Sequence, residues 1–231
     1  DQGRLLQKRA AEIVLLEETT RHEVAGTPGS IQVVIAGPEI LLAKAGANFT
    51  STIKAKFPLS SFDFKTVSEA EALEMVDRGE AHLAIVSNDV SAKSGFSSKI
   101  LFDAKFQTYV GKKHPLYTKA KAKKIVPVDE VLKYAFTSPD NPLLGTVGLK
   151  QSMDGWRDDQ FPRKVEYLTS SLKILEELVV SGKAIAYLPS YFAETIAVEL
   201  LKISGCPYSC IQKIRLVAKN PKDTSWLNQI F

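Results

Sequence analysis

The sequence lacks the features that mark several specialised classes of protein. Its 231 residues include only two cysteines, which excludes a small fold held together by disulfides. No apolar run reaches the roughly 18 residues that a membrane-spanning helix needs. The net charge is only +4 and 45% of the residues are apolar, which excludes a disordered chain. These absences leave an ordinary globular protein, with one large domain or two small ones.

The basic residues form one cluster, and its composition is informative. Only Asp103 balances it, and lysines without interleaved arginines recognise phosphate poorly. The cluster consists of Lys99, Lys105, Lys112, Lys113, Lys119, Lys121, Lys123 and Lys124. We therefore interpret the cluster as a solvated surface.

The chain begins at Asp1 with no initiator Met and no signal-peptide pattern, so we interpret the chain as part of a longer protein.

The first half of the sequence alternates between strand and helix patterns. Residues 1–24 predict an amphipathic helix, because apolar residues recur every three or four positions before a Gly/Pro breaker at 26–29. Strands are predicted at 31–36, 62–66 and 81–86, and helices at 39–48 and 69–78. Ser68 and Glu71 form a capping box for the last helix. Strands alternating with helices predict a parallel sheet.

A second alternating unit follows a long strand-like stretch and a polar connector. Helices are predicted at 128–134, 149–160, 172–181, 190–200 and 223–231, and strands at 135–137, 164–168, 184–188 and 211–218. Thr169, Ser170 and Ser171 are N-cap candidates for the helix that carries Leu172 and Leu175. The sequence thus predicts two α/β units joined by long strands, with ligand-binding loops at the carboxyl ends of the strands.

No set of residues points to catalysis. The three histidines, His22, His82 and His114, lie in separate elements, and no nucleophile elbow, zinc-binding helix motif or P-loop occurs. We therefore predict neither an enzyme nor a metal site, and no cofactor. An enzyme built on this architecture would lack a catalytic constellation.

Five stretches occur in the order typical of one regulator family: Gly3-Arg4-Leu5-Leu6, Gly29-Ser30-Ile31-Gln32-Val33, Leu73 with Gly79 and His82-Leu83-Ala84-Ile85, His114-Pro115-Leu116, and Val179 to Pro189. Together they resemble the effector-binding part of LysR-type transcriptional regulators, over essentially the whole chain. Three features depart from the family pattern. His82 replaces the usual Asp, Ala184 replaces the usual Gly, and the Leu-Pro landmark after the first strand is absent.

The resemblance implies a fold and a domain organisation. The fold is α/β, with two Rossmann-like subdomains joined by crossover strands, similar to type II periplasmic binding proteins. Residues 1–26 correspond to the linker helix, 27–110 and 211–231 to regulatory subdomain I, and 111–210 to regulatory subdomain II. The family's winged helix-turn-helix domain would precede this chain.

The resemblance also implies a function and partners. A bacterial, cytoplasmic regulator would bind a small-molecule effector in the cleft between its subdomains, assemble as a dimer or tetramer, and reach promoter DNA through the missing N-terminal domain. The helices predicted at 39–48 and 69–78 would form contacts between copies. The alternative function is that of a free-standing solute-binding protein of a transport system, whose fold would be nearly the same.

The ligand site is carried over from the family position by position. It comprises Gly37, Pro38, Glu39, Ser68, Asn88, Thr137, Ser138, Thr169 and Ser170. Hydroxyls and free amides at helix N-termini suit a carboxylate, although Ser68, Thr169 and Ser170 could equally serve only as helix caps. Glu39 would repel an anion if it pointed at the ligand, which leaves a neutral or cationic effector open.

The pair Cys206 and Cys210 has two possible roles, one in redox sensing and one that is structural or incidental. Some members of the resembled family sense oxidants through two cysteines, and a four-residue separation permits a disulfide if the Cα atoms approach within about 7 Å. The spacing is also compatible with a structural or incidental role, which we favour.

Overall fold

The chain is described here from a computed structural model. The structure describes residues 31–91, 95–145, 152–206 and 210–231 (without the side chain of Ser225), and eight positions of the N-terminal segment: 2, 3, 6, 9, 10, 13, 17 and 20. Those eight positions are helical. Among them Leu6 and Ile13 are 72% and 65% exposed. The rest of the predicted linker helix, 1–26, lies outside the described residues.

The chain divides into two compact units. The first unit comprises residues 1–102 and 213–231, and the second unit comprises residues 103–212. The division falls earlier in the chain than the boundary predicted at residue 110. Two strands pass through it, Phe96–Gly111 and Ile211–Lys219, so the chain leaves and re-enters the first unit in extended conformation.

The first unit alternates strands and helices as the sequence pattern predicts. Its elements are β1 (Gln32–Gly37), α1 (Glu39–Leu41), a π-helical stretch (Leu42–Gly46), α2 (Ala47–Lys56), β2 (Ser61–Thr66), α3 (Glu69–Arg78), β3 (Leu83–Val86), the start of β4 (Phe96–Gly111), most of β11 (Ile211–Lys219), a 3-10 turn (Pro221–Asp223) and α8 (Ser225–Asn228). The helical region after β1 thus continues to Lys56, eight residues beyond the predicted end at residue 48.

A mainly parallel sheet forms the centre of the first unit. The strand order is β2-β1-β3-β11-β4. β1 runs parallel to β2, with Gln32 opposite Ser61 and Gly37 opposite Thr66. It also runs parallel to β3, with Ile35 opposite Leu83. β11 returns antiparallel to β3. The parallel core of the predicted fold class is therefore confirmed.

The core of this unit explains the near-continuous apolar runs of its strands. Val34 and Ala36 pack with Leu73 and Val76 of α3 on one face of the sheet. Ile35, which points to the opposite face, is fully buried as well. Since both faces are covered, neither face of β1 tolerates polar residues.

The second unit consists of shorter elements. After the second half of β4 come α4 (Tyr117–Lys121), β5 (Ile125–Pro127), α5 (Val128–Val131), β6 (Ala135–Pro139), β7 (Lys164–Thr169), α6 (Leu172–Val180), β8 (Ala186–Pro189), α7 (Ser190–Ala193), β9 (Val198–Leu200) and β10 (Lys202–Ser204). β8 and β9 pair antiparallel with β4. β6 pairs parallel with β7, and β10 pairs parallel with β5.

The prediction of a helix at 149–160 is wrong for the residues that the structure describes. Residues 146–151 lie outside them, and residues 152–160 form turns and irregular backbone. Gly155 has φ +83°, which a helix cannot contain. Trp156, which lies within the span of that predicted helix, packs from this loop instead.

Buried charge holds that loop in place. The Arg163 side chain is fully buried and its guanidinium donates to Asp154 (2.7 Å) and Asp158 (3.0 Å). Burial alone would lower the pKa of Arg163, but the hydrogen bonds to Asp158 and the charge of Asp154 outweigh burial and raise it. The guanidinium also lies 5.4 Å from the Phe136 ring and 5.2 Å from the Trp156 ring. Ion pairs and ring stacking therefore replace the expected helical hydrogen bonds.

Candidate functional site

The predicted ligand residues of the first unit lie at the carboxyl ends of its parallel strands. β1 ends at Gly37 directly opposite Thr66, the last residue of β2. The Val67 N–H donates to the Gly37 carbonyl at 3.1 Å, which holds the turn into Ser68 beside the turn into Pro38. Asn88 follows β3, which lies on the other side of β1. The structure thus brings these four predicted residues, with Glu39 as the fifth, to one edge of the sheet.

Gly37 is required by the close packing at this edge. A Cβ at this position would lie 2.6 Å from the Ile85 carbonyl oxygen, which is shorter than a van der Waals contact. Pro38 then begins α1, and its carbonyl accepts from the Leu41 and Leu42 N–H groups at 2.9 and 3.0 Å. Glu39 stands exposed in the first turn. Its carboxylate is therefore in water.

Ser68 caps α3 as the capping-box pattern predicts. Its hydroxyl oxygen accepts from the Glu71 N–H at 3.2 Å. A role as a cap leaves the hydroxyl proton available, because the cap uses only the oxygen as an acceptor. Ser68 is exposed, so a ligand could reach it.

Glu69 is a residue whose role the sequence did not reveal. It is 4% exposed. Its carboxylate accepts from the N–H groups of Ser87 (2.9 Å) and Asn88 (3.0 Å) and from the Ser87 hydroxyl (2.8 Å). Arg215 donates to the Ser87 carbonyl at 2.9 Å. The loop that carries Asn88 is thus fixed from two sides. An acid at the second position of a capping box gives no sequence signal for this bond.

In the second unit the predicted ligand residues also lie near the carboxyl ends of two parallel strands. β6 and β7 run parallel, with Thr137 opposite Tyr167 and Pro139 opposite Thr169. The Asp140 N–H donates to the Thr169 carbonyl at 3.2 Å. Thr137, Ser138, Thr169 and Ser170 therefore lie at the same edge of this small sheet. Ser138 is buried and Ser170 is exposed.

The hydroxyl of Thr137 has no hydrogen-bond partner among the residues that the structure describes. Thr137 is 1% exposed, and its Oγ1 is buried and unpaired there. Its backbone N–H donates to the Ile185 carbonyl at 2.9 Å. Buried hydroxyls are nearly always paired, and an unpaired one costs about 1–3 kcal/mol. A group that a ligand brings would satisfy it.

Ser171, and not Thr169 or Ser170, caps α6. The Ile174 N–H donates to the Ser171 hydroxyl at 3.3 Å, and the Ser171 N–H donates to Thr169 Oγ1 at 3.0 Å. Thr169 thereby orients the capping residue Ser171, whereas Ser170 takes no part in capping α6. The first N–H groups of a helix have no partner within it and favour negative charge.

The two histidines of the described residues, His82 and His114, are buried and accept hydrogen bonds from the backbone. The Val34 N–H donates to His82 Nδ1 at 3.0 Å, and the His82 ring packs edge-on against Trp226 at 5.3 Å. The Leu116 N–H donates to His114 Nδ1 at 3.1 Å. Burial lowers the pKa of both imidazoles to about 4. His82 therefore fills the position of the family's Asp as a neutral, buried acceptor.

No disulfide joins Cys206 and Cys210 in the structure. Cys206 is half-buried and Cys210 is buried. Residues 207–209 between them lie outside the described residues, and a redox role stays a prediction. Within the part of the chain that the structure describes, no group of three or more metal-binding side chains is placed to hold an ion. Every helix found there is too short or too polar to span a bilayer.

The strand-end arrangement agrees with a family match that covers most of the chain. Residues 32–219 match the family described as the LysR substrate binding domain. The chain belongs to this family. As a LysR substrate binding domain it is the ligand-sensing, regulatory part of a transcriptional regulator, and not a solute-binding protein of transport.

Solved structures share the fold of this LysR substrate binding domain. The C-terminal domain of a probable LysR family regulator from Rhodococcus sp. RHA1 is 17% identical, with a TM-score of 0.65 over 86% of this chain and 95% of that one. The regulatory domain of Synechocystis PCC6803 CcmR, solved in complex with 2-PG, is 13% identical, with a TM-score of 0.62 over 86% and 96%.

A full-length regulator shows the same fold. CbnR, in complex with its target DNA, is 11% identical, with a TM-score of 0.67 over 99% of this chain and 79% of that one. No curated protein matches the chain significantly in sequence. At these identities the structural likeness confirms the predicted type II periplasmic-binding-protein-like fold, and it leaves the ligand open.

Proposed function

We propose that this LysR substrate binding domain recognises its effector with the strand-end groups of both units, and that the Thr137 hydroxyl is a direct ligand contact. The residues proposed for the first unit are Gly37, Pro38, Glu39, Ser68 and Asn88. Those proposed for the second unit are Thr137, Ser138, Thr169 and Ser170. The role is binding, with no chemical step.

The unpaired Thr137 hydroxyl is the observation that carries this proposal. It lies two residues before the carboxyl end of β6, close to the strand ends where open α/β folds bind ligands. A Val at this position would have the same shape as Thr and would avoid the free-energy cost of an unpaired hydroxyl. A Thr at this position is useful if a ligand completes the hydrogen bond.

The effector class that these groups favour is a small polar molecule with an anionic group. Ser68, Thr169 and Ser170 supply hydroxyls, and the N-terminus of α6 supplies positive potential. The CcmR regulatory domain was solved in complex with 2-PG, which makes 2-PG a first compound to test. Exposed Glu39 is free to point into water, which leaves an anion acceptable at the neighbouring groups.

The test compares Thr137→Val with Thr118→Val, an exposed threonine of α4. A thermal-shift panel of 2-PG, dicarboxylic acids and amino acids first identifies a binder, since ligand at one hundred times its Kd stabilises by about 2.7 kcal/mol. Calorimetry with that binder should then show an affinity loss of about 5–30-fold for Thr137→Val, corresponding to about 1–2 kcal/mol. Thr118→Val should leave the affinity unchanged.

Stability separates a binding role from a structural one. Because the hydroxyl is unpaired without ligand, Thr137→Val should leave the free energy of unfolding unchanged or raise it. A variant that unfolds more easily yet binds the ligand as tightly as the parent chain would show that the hydroxyl is structural.

We propose that the domain also associates with itself, as a dimer or tetramer. The helical region at 39–48 and α3 at 69–78 are the proposed contact elements. β2 is an edge strand of the sheet; Phe64 within β2 is 40% exposed, and Leu59 just before it is 55% exposed. Sedimentation velocity at tens of micromolar should show species larger than a monomer; a strict monomer at that concentration would contradict this proposal.

We propose that promoter DNA is reached through a separate DNA-binding domain, and that the whole regulator works in the bacterial cytoplasm. The support is the family, whose member CbnR was solved on its target DNA. On this proposal the chain by itself should bind DNA weakly. An electrophoretic mobility assay with promoter-length DNA tests that expectation, and tight binding by the isolated chain would contradict it.

A further inference from the structure

A pocket of about 300 Å³ lies entirely within the second unit. Its eleven lining residues come from β4, from the loop at Trp156, from β8, and from the segment 200–206. None of the nine proposed effector contacts lines it. The pocket is therefore distinct from the strand-end site.

The apolar lining of this pocket includes three aromatic side chains beside Leu200, Leu201 and Ile203. Phe106, Trp156 and Tyr187 are each less than 8% exposed. The Phe106 and Tyr187 ring centroids are 5.7 Å apart, and those of Trp156 and Tyr187 are 5.2 Å apart, nearly perpendicular. Aromatic edges and faces arranged in this way pack well against another ring.

We call the rings of Phe106, Trp156 and Tyr187 the floor of the pocket. This floor is rigid because several groups hold Trp156 in place. Its Nε1–H donates to the Phe161 carbonyl at 2.8 Å. The buried Arg163 guanidinium lies 5.2 Å from its ring, and the Trp156 N–H donates to Asp154 at 3.1 Å. A ligand that binds here therefore loses little affinity to reorganisation of the floor.

The charged part of the lining is basic. Lys105 and Lys202 line the pocket, and no acidic residue does. Both lysines are exposed. Neither has an ion-pair partner among the residues that the structure describes. Two free ammonium groups beside an aromatic floor complement a ligand with a ring and a negative group.

We propose that this pocket is a second ligand site, which binds a small aromatic carboxylate. The ring packs on Phe106, Trp156 and Tyr187, and the carboxylate pairs with Lys105 and Lys202. The volume lies at the lower end of the range for ligand pockets, which suits a single ring with a short side chain. The proposal is independent of the effector contacts at the strand ends.

The test uses the whole chain with Trp226→Phe, which leaves Trp156 as the only tryptophan. Phenylacetate and benzoate are the probes, and phenylacetamide is the neutral analogue of the first. Phenylacetate should change the Trp156 fluorescence saturably. Phenylacetamide and the Lys105→Gln/Lys202→Gln variant should each weaken binding about fivefold, as two partly exposed ion pairs allow.

Matched variants locate the binding. Lys121→Gln/Lys124→Gln removes the same charge from exposed lysines that do not line the pocket, and it should change the affinity less than twofold. Ile203→Phe should fill the pocket without adding a second tryptophan, and it should abolish the fluorescence change. Thr137→Val should leave phenylacetate binding intact, which separates this site from the proposed effector site.

A thiol readout checks the same pocket without fluorescence. Cys206 lines the pocket, so in a Cys210→Ser variant phenylacetate should slow alkylation of Cys206 by iodoacetamide. Any of three results would overturn the proposal. These are no saturable binding of either acid up to about 10 mM, equal affinity for phenylacetamide and phenylacetate, or unchanged binding in the Ile203→Phe variant.

Discussion

Replacing Asp154 by alanine should destabilise the second unit strongly, because it breaks a buried ion pair. The Asp154 side chain is 1% exposed and that of Arg163 is 0% exposed. The substitution removes two bonds from the guanidinium, at 2.7 and 3.2 Å, and the bonds from the Ser152 hydroxyl and the Trp156 N–H. Breaking a buried pair costs about 3–5 kcal/mol.

The lower end of that range applies here. Arg163 keeps Asp158 as a partner, with bonds at 3.0 Å to each carboxylate oxygen. We therefore expect a loss of about 3 kcal/mol in the free energy of unfolding. For a chain of this size that corresponds to a fall of about 6–12 °C in Tm.

Urea denaturation followed by Trp156 fluorescence in a Trp226→Phe background measures this loss directly. Two variants provide the scale. Asp158→Ala removes the partner that is 37% exposed and should cost about 1 kcal/mol. Lys173→Ala breaks exposed pairs with Glu176 and Glu177 and should leave the free energy of unfolding nearly unchanged. If Asp154→Ala costs no more than Lys173→Ala, the buried pair does not hold the loop and the reasoning is refuted.

Three further predictions follow from the buried groups of the two units. The pKa of His82 and of His114 is about 4 in the folded chain and 6.5 in the unfolded one. Because the unfolded state therefore binds protons first, the free energy of unfolding should fall as the pH drops from about 6.5 toward 4. Urea midpoints at pH 7.5 and 5 measure this fall, and His82→Asn should reduce the difference between them. Glu69→Gln weakens three bonds to the loop at Asn88 and should cost about 1–3 kcal/mol, whereas exposed Glu71→Gln should cost little; equal midpoints for the two variants would contradict this. Gly37→Ala forces a Cβ to within 2.6 Å of the Ile85 oxygen and should lower the free energy of unfolding by about 1–3 kcal/mol, as measured by thermal denaturation; an unchanged Tm would show that the strands can separate there.

The sequence predicts the first unit well because its signals are local. Apolar runs identify β1 and β3, and the Ser68 cap fixes the start of α3. These features depend on residues within one or two turns of one another. The extension of the helical region to Lys56 was missed, because a π-helical stretch at Leu42–Gly46 interrupts the 3.6-residue period that reveals a helix.

The second unit shows where local reasoning ends. Asp154 and Arg163 are nine positions apart, and their pairing depends on burial that no pattern reports. The same holds for Glu69 and its bonds to the loop after β3. Of the candidate site, the strand ends were predictable from topology. The unpaired state of Thr137 and the pocket at Trp156 were not, since both depend on what other segments place around them.

The division of the chain has a consequence for biosynthesis. The second unit is one continuous stretch, 103–212, but the first unit needs β11 between β3 and β4, and β11 is translated last. Since domains generally fold as units during synthesis, the second unit can close on the ribosome while the sheet of the first unit still lacks an inner strand. Until β11 emerges, the edges of β3 and β4 are unpaired and open to wrong partners. A chain truncated after residue 212 would therefore contain a complete second unit and an incomplete first one.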